Sequence, residues 1–448
     1  MTAEKIIQRL IDSRYEAYFI GGYVRDKILG IKSLDKDVVT SATPDEILSL
    51  FKDQKIDLVG KSFGVVLVNG TEVTTYRRDR YFGLSDKNVE VTFAPSLKED
   101  TERRDFTINT IALDIGGNII DIHNGIRDLD LRVIKFVGNP LDRIREDPCR
   151  IIRACRFIAK IDGIFDGKTF DALKNTAHYI NLIPNERIQK EIMKAMKVKA
   201  ASKFFISLYQ IGALEYILPS LQSTMGFTQK NIFHKERLFT HSILTGDKIS
   251  CKYPLVKLAG YLHDVGKVHT RKYDKKKKTH TYINHDKIST DMVEEELIGL
   301  KFSNSDIEFI KNLISIHMYP PPKTGKQLRR LKKRLEELKL TYRNYLRLLI
   351  ADSHSRYSKI VPTKLNISKI KDLLRLDKEL VARNEPFNRK HLAIDGGDLI
   401  QILKIKQGKE VGKILDYLLD QVLDNSKLNT RRGLLILATN FITGGVYV

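Results

Sequence analysis

Apolar residues recur at helical spacing from the first turn onward (Ile6, Ile7, Leu10, Ile11) and predict a helix over residues 1 to about 18. An apolar run from Ala17 to Ile20 then meets Gly21-Gly22, which opens a second helical pattern. Beyond it Asp35 and Asp37 stand two apart in a β-prone segment, and a spacing of two on a strand puts both carboxylates on one face. Thr43-Pro44-Asp45-Glu46 starts a helix, with proline in the first turn and acids near its positive end. Val65 to Val68, Asn69-Gly70 and Thr71 to Thr75 read as a hairpin on an Asn-Gly turn, which sets Glu72 on a second strand of the same small sheet. Period is lost between Arg77 and Val91, where Arg77, Arg78, Arg80, Gly83 and Lys87 gather in what reads as a mobile basic loop. An apolar strand pattern from Thr110 to Ile115 and the turn at Asn124-Gly125 close the sheet.

From there the pattern is helical. Pro148 fits a first helical turn, after which Arg150, Arg153 and Arg156 recur every three residues and precess around the helix by about 60° per step. Residues 196 to 228 are helical, with an apolar stripe from Phe204 to Leu221 that reads as core. Leu328, Leu331, Leu335 and Leu338 make an amphipathic helix whose other face carries Arg329, Arg330, Lys332, Lys333 and Arg334, a surface that suits an RNA backbone or plain solvation. Residues 364 to 448 are helical again. No apolar run approaches the roughly 20 residues that span a bilayer, and the first residues lack the regions of a signal peptide.

Composition changes this picture in two ways. At 448 residues the chain is too long for one ordinary core and suggests two to four domains. Its 77 Lys and Arg against 55 Asp and Glu leave a net charge of +22, which reads as a polyanion-binding surface, nucleic acid ahead of anionic membrane. The three cysteines, Cys149, Cys155 and Cys251, fit no disulfide framework or zinc spacing and read as reduced cytosolic thiols.

Candidate chemistry follows the pattern. Asp35 and Asp37, close to backbone N–H groups freed by the glycine turn, suit a magnesium ion and a nucleoside triphosphate; taken alone they equally make a surface turn and a solvated strand. Arg103-Arg104-Asp105-Phe106-Thr107-Ile108-Asn109 offers phosphate and ribose partners, or a surface salt-bridge cluster. Asp147 lies one turn before Arg150, so an acid acceptor and a guanidinium fork can face one ligand and read a base edge. From Ile232 onward histidines appear beside aspartates, in His234, His241, His263-Asp264, His285-Asp286, His317 and Asp352-Ser-His354, a mixed set of imidazoles and carboxylates for one or two divalent transition-type metals.

Five motifs in order, Gly-Gly-x-Val-Arg-Asp with Leu-Asp-x-Asp, Arg-Arg-Asp-Phe-Thr-Ile-Asn, Glu-Asp-x-x-Arg and Pro184-Asn185-Glu186-Arg187-Ile188, resemble the bacterial-type (class II) tRNA nucleotidyltransferase and poly(A) polymerase family, within the DNA polymerase beta superfamily. The resemblance covers roughly residues 15 to 195. It implies an α+β fold, with a small mixed β-sheet nucleotidyltransferase head at 1–138, an all-α neck with a nucleotide-selecting helix at 139–228, an HD-type helical domain at 229–358 and a helical tail at 359–448. It also implies that Asp35 and Asp37 hold Mg2+, with Glu72 as third carboxylate. Gly22 and Arg25 would then touch the triphosphate, Arg104, Asp105 and Asn109 would lie by ribose and phosphates, and Asp147 and Arg150 would read the base, assisted by Arg153 and Arg156.

His241, His263, Asp264, His285, His317 and Asp352 resemble the ligand series of an HD-type metal phosphohydrolase over about 232–356. They imply a divalent transition metal and either a working hydrolase or a retained helical body with idle ligands. Lys275 to Lys278 form a basic loop or hairpin tip, and the segments around Gly396-Gly397 and Lys406, Lys409 and Lys413 resemble the tail module of HD-bearing members, expected to hold the tRNA elbow. The expected function is template-independent addition of C, A or both to tRNA 3′ ends from CTP and ATP, in the cytoplasm. The alternatives are a CC-only or A-only enzyme, a poly(A) polymerase, or a metal phosphohydrolase with a nucleotide- or RNA-binding head. The run from Asp79 to Asn88 departs from the paired arginines usual in the loop of CCA-adding members, which puts terminal A addition at issue.

Overall fold

The computed structural model describes residues 1–32, 36–58, 60, 63–82, 89–230, 237–356 and 365–443. By density of internal contacts it divides into two compact units, residues 1–222 with 296–302, and the remainder.

The first unit is built on strands β1 (Ala17–Ile20), β2 (Val38–Thr40), β3 (Ile56–Asp57), β4 (Val65–Val68), β5 (Thr71–Thr75), β6 (Arg77–Tyr81), β7 (Val89–Phe93), β8 (Ala112–Leu113) and β9 (Ile119–Ile120). Seven of them form one mixed sheet in the order β3-β4-β5-β2-β1-β8-β9, in which β2 and β5 run parallel and the other neighbours antiparallel. The predicted Asn69-Gly70 hairpin is β4–β5, and Asn69 takes φ +50° in its turn. The first helix is shorter than its apolar period suggested: it covers Ala3–Asp12, Arg14 reverses the chain at φ +68°, and residues 17–20 are already strand. The expected strand over 110–115 is only the two residues of β8, because Thr107–Asn109 winds into a 3-10 turn just before it.

The segment after Arg77 is ordered into strand at both ends. β6 and β7 pair as an antiparallel ribbon from Arg77↔Phe93 to Tyr81↔Val89; Gly83 and Lys87 lie outside the described residues. Alternating side chains of β6 point to opposite faces, so Arg77, Asp79 and Tyr81 share one face.

Helices Pro140–Glu146 and Cys149–Ile161 follow, with Asp147 in extended backbone between them. The face of Cys149–Ile161 carrying Phe157 packs on Phe106, which also meets Phe136, at ring-centroid distances of 5.4 Å and 4.9 Å. These fully or nearly buried rings underlie the segment that carries Asp105 and Asn109.

The second unit is helical. Leu238–Lys248, Pro254–Leu262, His285–Gly299, Asn304–Ile316 and Tyr342–Ser355 surround the histidine cluster, and Lys275–Lys278 are the tip of a hairpin between Lys272–Asp274 and Thr279–Thr281. The tail has its own core, with Leu399, Ile414, Leu418, Val422 and Leu434 packed together from three helices. Within this unit the basic face of Gly325–Glu337 turns out to be a packing face. Arg329 is buried against the Glu385 carboxylate and the Leu423 carbonyl, Arg330 binds Asp424, Lys332 binds Asp377 and Lys333 binds Asp420. Those ion pairs join the helix to Ile367–Ala382 and Lys409–Asp424, so the face read as open to an RNA backbone or to solvent is in large part a packing face. No described helix is long and apolar enough to cross a membrane.

Phe106→Leu should lower the stability of the first unit by about 1–3 kcal/mol through the void it leaves among Phe136 and Phe157. Ile164→Val, at a side chain 66% exposed, should change it by less than about 0.5 kcal/mol. Urea denaturation of both variants checks the contrast.

Candidate active site

One cavity in the first unit, about 580 Å3, gathers most of the residues that the sequence singled out. Its lining includes Gly21, Gly22, Arg25, Asp37, Arg104, Asp105, Asn109, Asp147, Arg150, Arg153 and Arg156. Gly21 takes φ +74°, a conformation that favours glycine, and this lets the chain turn from β1 directly into the helix Gly22–Ile28.

The guanidinium groups are locked by acids behind them. Arg25 donates through Nε and Nη2 to Asp26 at 3.0 and 2.7 Å, through Nη1 to Asn109 at 2.5 Å, and lies 4.9 Å over the Phe157 ring. Asn109 in turn donates to Asp105 at 2.8 Å, and Asp105 accepts from Arg153 through its other oxygen. Burial opposes ionisation of Asp105, and Arg153 with the Asn109 amide outweighs it, holding the carboxyl well below the usual carboxylate range. Arg103 and Arg104 share Asp100, which is fully buried, at 2.7–3.2 Å. Glu191, 4% exposed, accepts from Arg156 and from Lys194 and lies 4.0 Å from Arg153.

Asp147 and Arg150 both line the cavity. Asp147 accepts from the Cys149 amide at 3.0 Å and from Arg187 at 2.9 Å, while Arg150 donates to Glu146 at 2.6 Å and to the Arg143 and Arg103 carbonyls at 2.8 and 3.0 Å.

The carboxylates at the other end are placed less fully. Asp35 lies outside the described residues, as does the expected spacing of the two carboxylates; Asp37 lines the cavity immediately before β2, where its carbonyl accepts from the Ile20 amide at 3.1 Å. Glu72 is exposed on β5 and does not line the cavity. The parallel register Val38↔Val73 nevertheless sets its position beside Asp37.

The sequence placed Arg77, Asp79 and Tyr81 only in a basic loop and Arg103 only within the arginine motif, and passed over Lys194 of the lining and Asp100 and Glu191 behind it. Arg77, Asp79 and Tyr81 carried a signal, the alternation of β6. The acids carried none, because a buried partner and a solvated acid look alike in a charged run.

A second cluster occupies the other unit, and all six expected residues meet there, each at most 6% exposed. His263 and His317 each follow the last residue of a helix, and their Nδ1 atoms donate to the Gly260 and Ile314 carbonyls of its last turn at 2.9 and 2.6 Å. His285 does the same to the Tyr282 carbonyl at 2.6 Å. With Nδ1 protonated, Nε2 of a neutral ring bears a lone pair. Those Nε2 atoms converge on carboxylates: His263 on Asp264 at 3.2 Å, His285 on Asp264 at 3.1 Å and His317 on Asp264 at 3.5 Å, while His241 meets Asp352 at 3.1 Å. Acceptors facing acceptors call for a cation among them, and the donors suit a divalent transition metal. Burial disfavours charge on His263, but Asp264 and Asp352 outweigh it and raise its pKa to about 9. Gly266 lets the loop approach the next helix, since a Cβ there would meet the His285 carbonyl at 2.5 Å. Lys267 donates to Asp264 at 2.6 Å, and the cluster opens into a cavity of about 520 Å3 that Lys277 and Arg356 also line. His234 lies outside the described residues.

Three family profiles match the chain: the poly A polymerase head domain over residues 17–135, the probable RNA and SrmB-binding site of polymerase A over 165–225, and tRNA nucleotidyltransferase domain 2 over 281–438. The CCA-adding enzyme of Limosilactobacillus reuteri is 37% identical over 248 residues, which are 53% of this chain and 61% of that one. The chain thus spans less than two thirds of that relative's length, whereas the CCA-adding enzyme of Staphylococcus haemolyticus, 28% identical, aligns over 97% of this chain and 96% of its own. The crystal structure of the Bacillus stearothermophilus CCA-adding enzyme in complex with CTP superimposes with TM-score 0.69 at 23% identity, over 99% of this chain and 97% of that one. The Thermotoga maritima CCA-adding enzyme complexed with tRNA gives 0.57 at 20% identity, over 98% and 94%. The fold is that of a nucleotidyltransferase head followed by helical segments. The chain belongs to the bacterial-type tRNA nucleotidyltransferase and poly(A) polymerase family, and membership implies dependence on a divalent metal.

Asp100→Asn should cost about 2–4 kcal/mol, since it removes the charge that Arg103 and Arg104 share. Burial opposes its ionisation, and Arg104 and Arg103 outweigh burial and hold its pKa below the ordinary value. The stability it supplies is therefore present above the ordinary carboxylate pKa of about 4 and fades as pH falls through its own lower one. Denaturation of wild type and variant across that pH range should show the difference shrinking as pH falls.

Proposed function

We propose that this chain adds C and A residues to the 3′ end of tRNA from CTP and ATP, choosing the nucleotide with protein side chains in place of a template. The carrying observation is the single cavity where Asp37, the Gly21-Gly22 turn, a ring of arginines held by buried acids, and the Asp147–Arg150 pair meet. The relatives and neighbours are CCA-adding enzymes, some described in complex with CTP, ATP or tRNA. In this reading Asp35 and Asp37 hold Mg2+, with Glu72 beside Asp37. The metal supplies charge at the α-phosphate and the attacking 3′-hydroxyl. Gly22, Arg25 and Arg104 bind the triphosphate, and Asp105 and Asn109 fix the ribose side. Asp147 has acceptor capacity for the exocyclic amine that cytosine and adenine share, and Arg150 donates to the ring nitrogen beside it. Arg153 and Arg156 add positive charge toward the leaving pyrophosphate. The four-part division at 138, 228 and 358, tRNA as partner and a cytoplasmic location belong to the same proposal.

The histidine cluster favours a second activity, metal-dependent phosphohydrolysis at His241, His263, Asp264, His285, His317 and Asp352. Its support is the clustering of the six groups beside a cavity that four of them, Asp264, His285, His317 and Asp352, line together with Lys267 and Arg356, where a phosphate would meet positive charge.

Purified protein with CTP, ATP and Mg2+ should extend a tRNA lacking its CCA end, and product length separates CC, A and CCA addition. Incorporation of neither nucleotide would overturn the proposal. Asp37→Ala should abolish addition and leave hydrolysis of a phosphomonoester intact. His263→Ala should do the reverse and lower bound transition metal as measured by mass spectrometry.

A further inference from the structure

The cavity has a side that no motif accounts for. Along β6, Arg77, Asp79 and Tyr81 all line it, while Arg78 and Arg80 point to the other face, more than half exposed beside Glu99 and Glu90. The near part of that face is fixed by charge: Asp79 pairs with Arg77 at 3.1 Å and with Arg103 at 3.4 Å. The Arg103 carbonyl accepts from Arg150 at 3.0 Å, which ties the ribbon to the base-reading end. Tyr81 ends this row, in the field of Arg150, Glu146 and Asp147, with burial as the main cause of its raised pKa.

A base read at its edge by Asp147 and Arg150 leaves its faces uncovered. Among the described residues two aromatic rings line the cavity, Phe157 and Tyr81. Phe157 is already covered by guanidinium groups, Arg156 at 4.2 Å, Arg25 at 4.9 Å and Arg153 at 5.8 Å from its centroid. We infer that Tyr81 stacks on the base of the incoming nucleotide and sets how strongly a purine is held relative to a pyrimidine. The inference rests on the proposed nucleotidyl transfer. Stacking needs only a π face, so one ring serves both nucleotides, and the larger adenine gains more from it.

The test compares addition of C to tRNA lacking CCA with addition of A to tRNA lacking only the last residue, for wild type, Tyr81→Phe and Tyr81→Ala. Tyr81→Ala should raise KM by about 5- to 100-fold, more for ATP than for CTP, with kcat at saturating nucleotide within about twofold. Tyr81→Phe, which keeps the ring, should restore both values. Unchanged KM in Tyr81→Ala, an equal rise for both nucleotides, failure of Tyr81→Phe to rescue, or a fall in kcat alone would each overturn the inference. Wild type that incorporates neither nucleotide would instead overturn the functional reading, and thermal denaturation of Tyr81→Ala separates loss of the ring from loss of the fold.

Discussion

Arg25, Arg77, Arg103, Arg104, Arg150, Arg153, Arg156 and Lys194 all face one cavity, and eight like charges at that range would drive the surrounding elements apart. The first unit accommodates them by placing a carboxylate behind nearly every one: Asp26, Asp100, Asp105 and Glu191, all at most 8% exposed, with Asp79 and Glu146 at the rim. Each guanidinium keeps donors for a ligand while its own position is fixed from the rear. Asp26, Asp100 and Glu146 brace their arginines locally, whereas Asp105 with Arg153, Glu191 with Arg156 and Asp79 with Arg103 join separate segments around the cavity, tying β6 and the Arg103–Asp105 stretch to one another and to Cys149–Ile161 and Asn185–Met196. A triphosphate entering such a site meets charge that is already oriented, so little binding energy is lost to rearrangement.

The second unit solves the inverse problem. There, lone pairs are driven together: helix-end carbonyls take the Nδ1 protons of His263 and His317, the Nε2 atoms turn inward, and Asp264 and Asp352 close the ring. Where arginines need fixed anions behind them, this cluster needs a mobile cation among its members. The contrast gives the two sites different chemical character in one chain, one a ring of fixed positive charge and the other a set of donors fit for a metal.

Much of this was legible in the residues themselves. The β4–β5 hairpin follows from Asn69-Gly70, the six-residue histidine cluster from its His-Asp pairs, and most of the cavity from motifs in order. What was hidden depended on partners far along the chain. The arginine- and lysine-rich face of Gly325–Glu337 looked open because Asp377, Glu385, Asp420 and Asp424 lie about 50 to 90 residues later. The segment after Arg77 looked structureless because its strand partner is separated from it by a polar stretch, and period-2 alternation of Arg, Asp and Tyr carries no apolar signal. Glu191 looked like any acid of a charged helix, although it is the residue that Arg153, Arg156 and Lys194 share.

Glu191 therefore gives the most direct access to the central claim that buried acids preorganise the cavity. Equilibrium binding of CTP with Mg2+ to Glu191→Gln, set against wild type by titration calorimetry, should show affinity lower by about tenfold or more, because Arg156 and Lys194 lose the charge that orients them. Unchanged affinity in a folded variant would contradict the account.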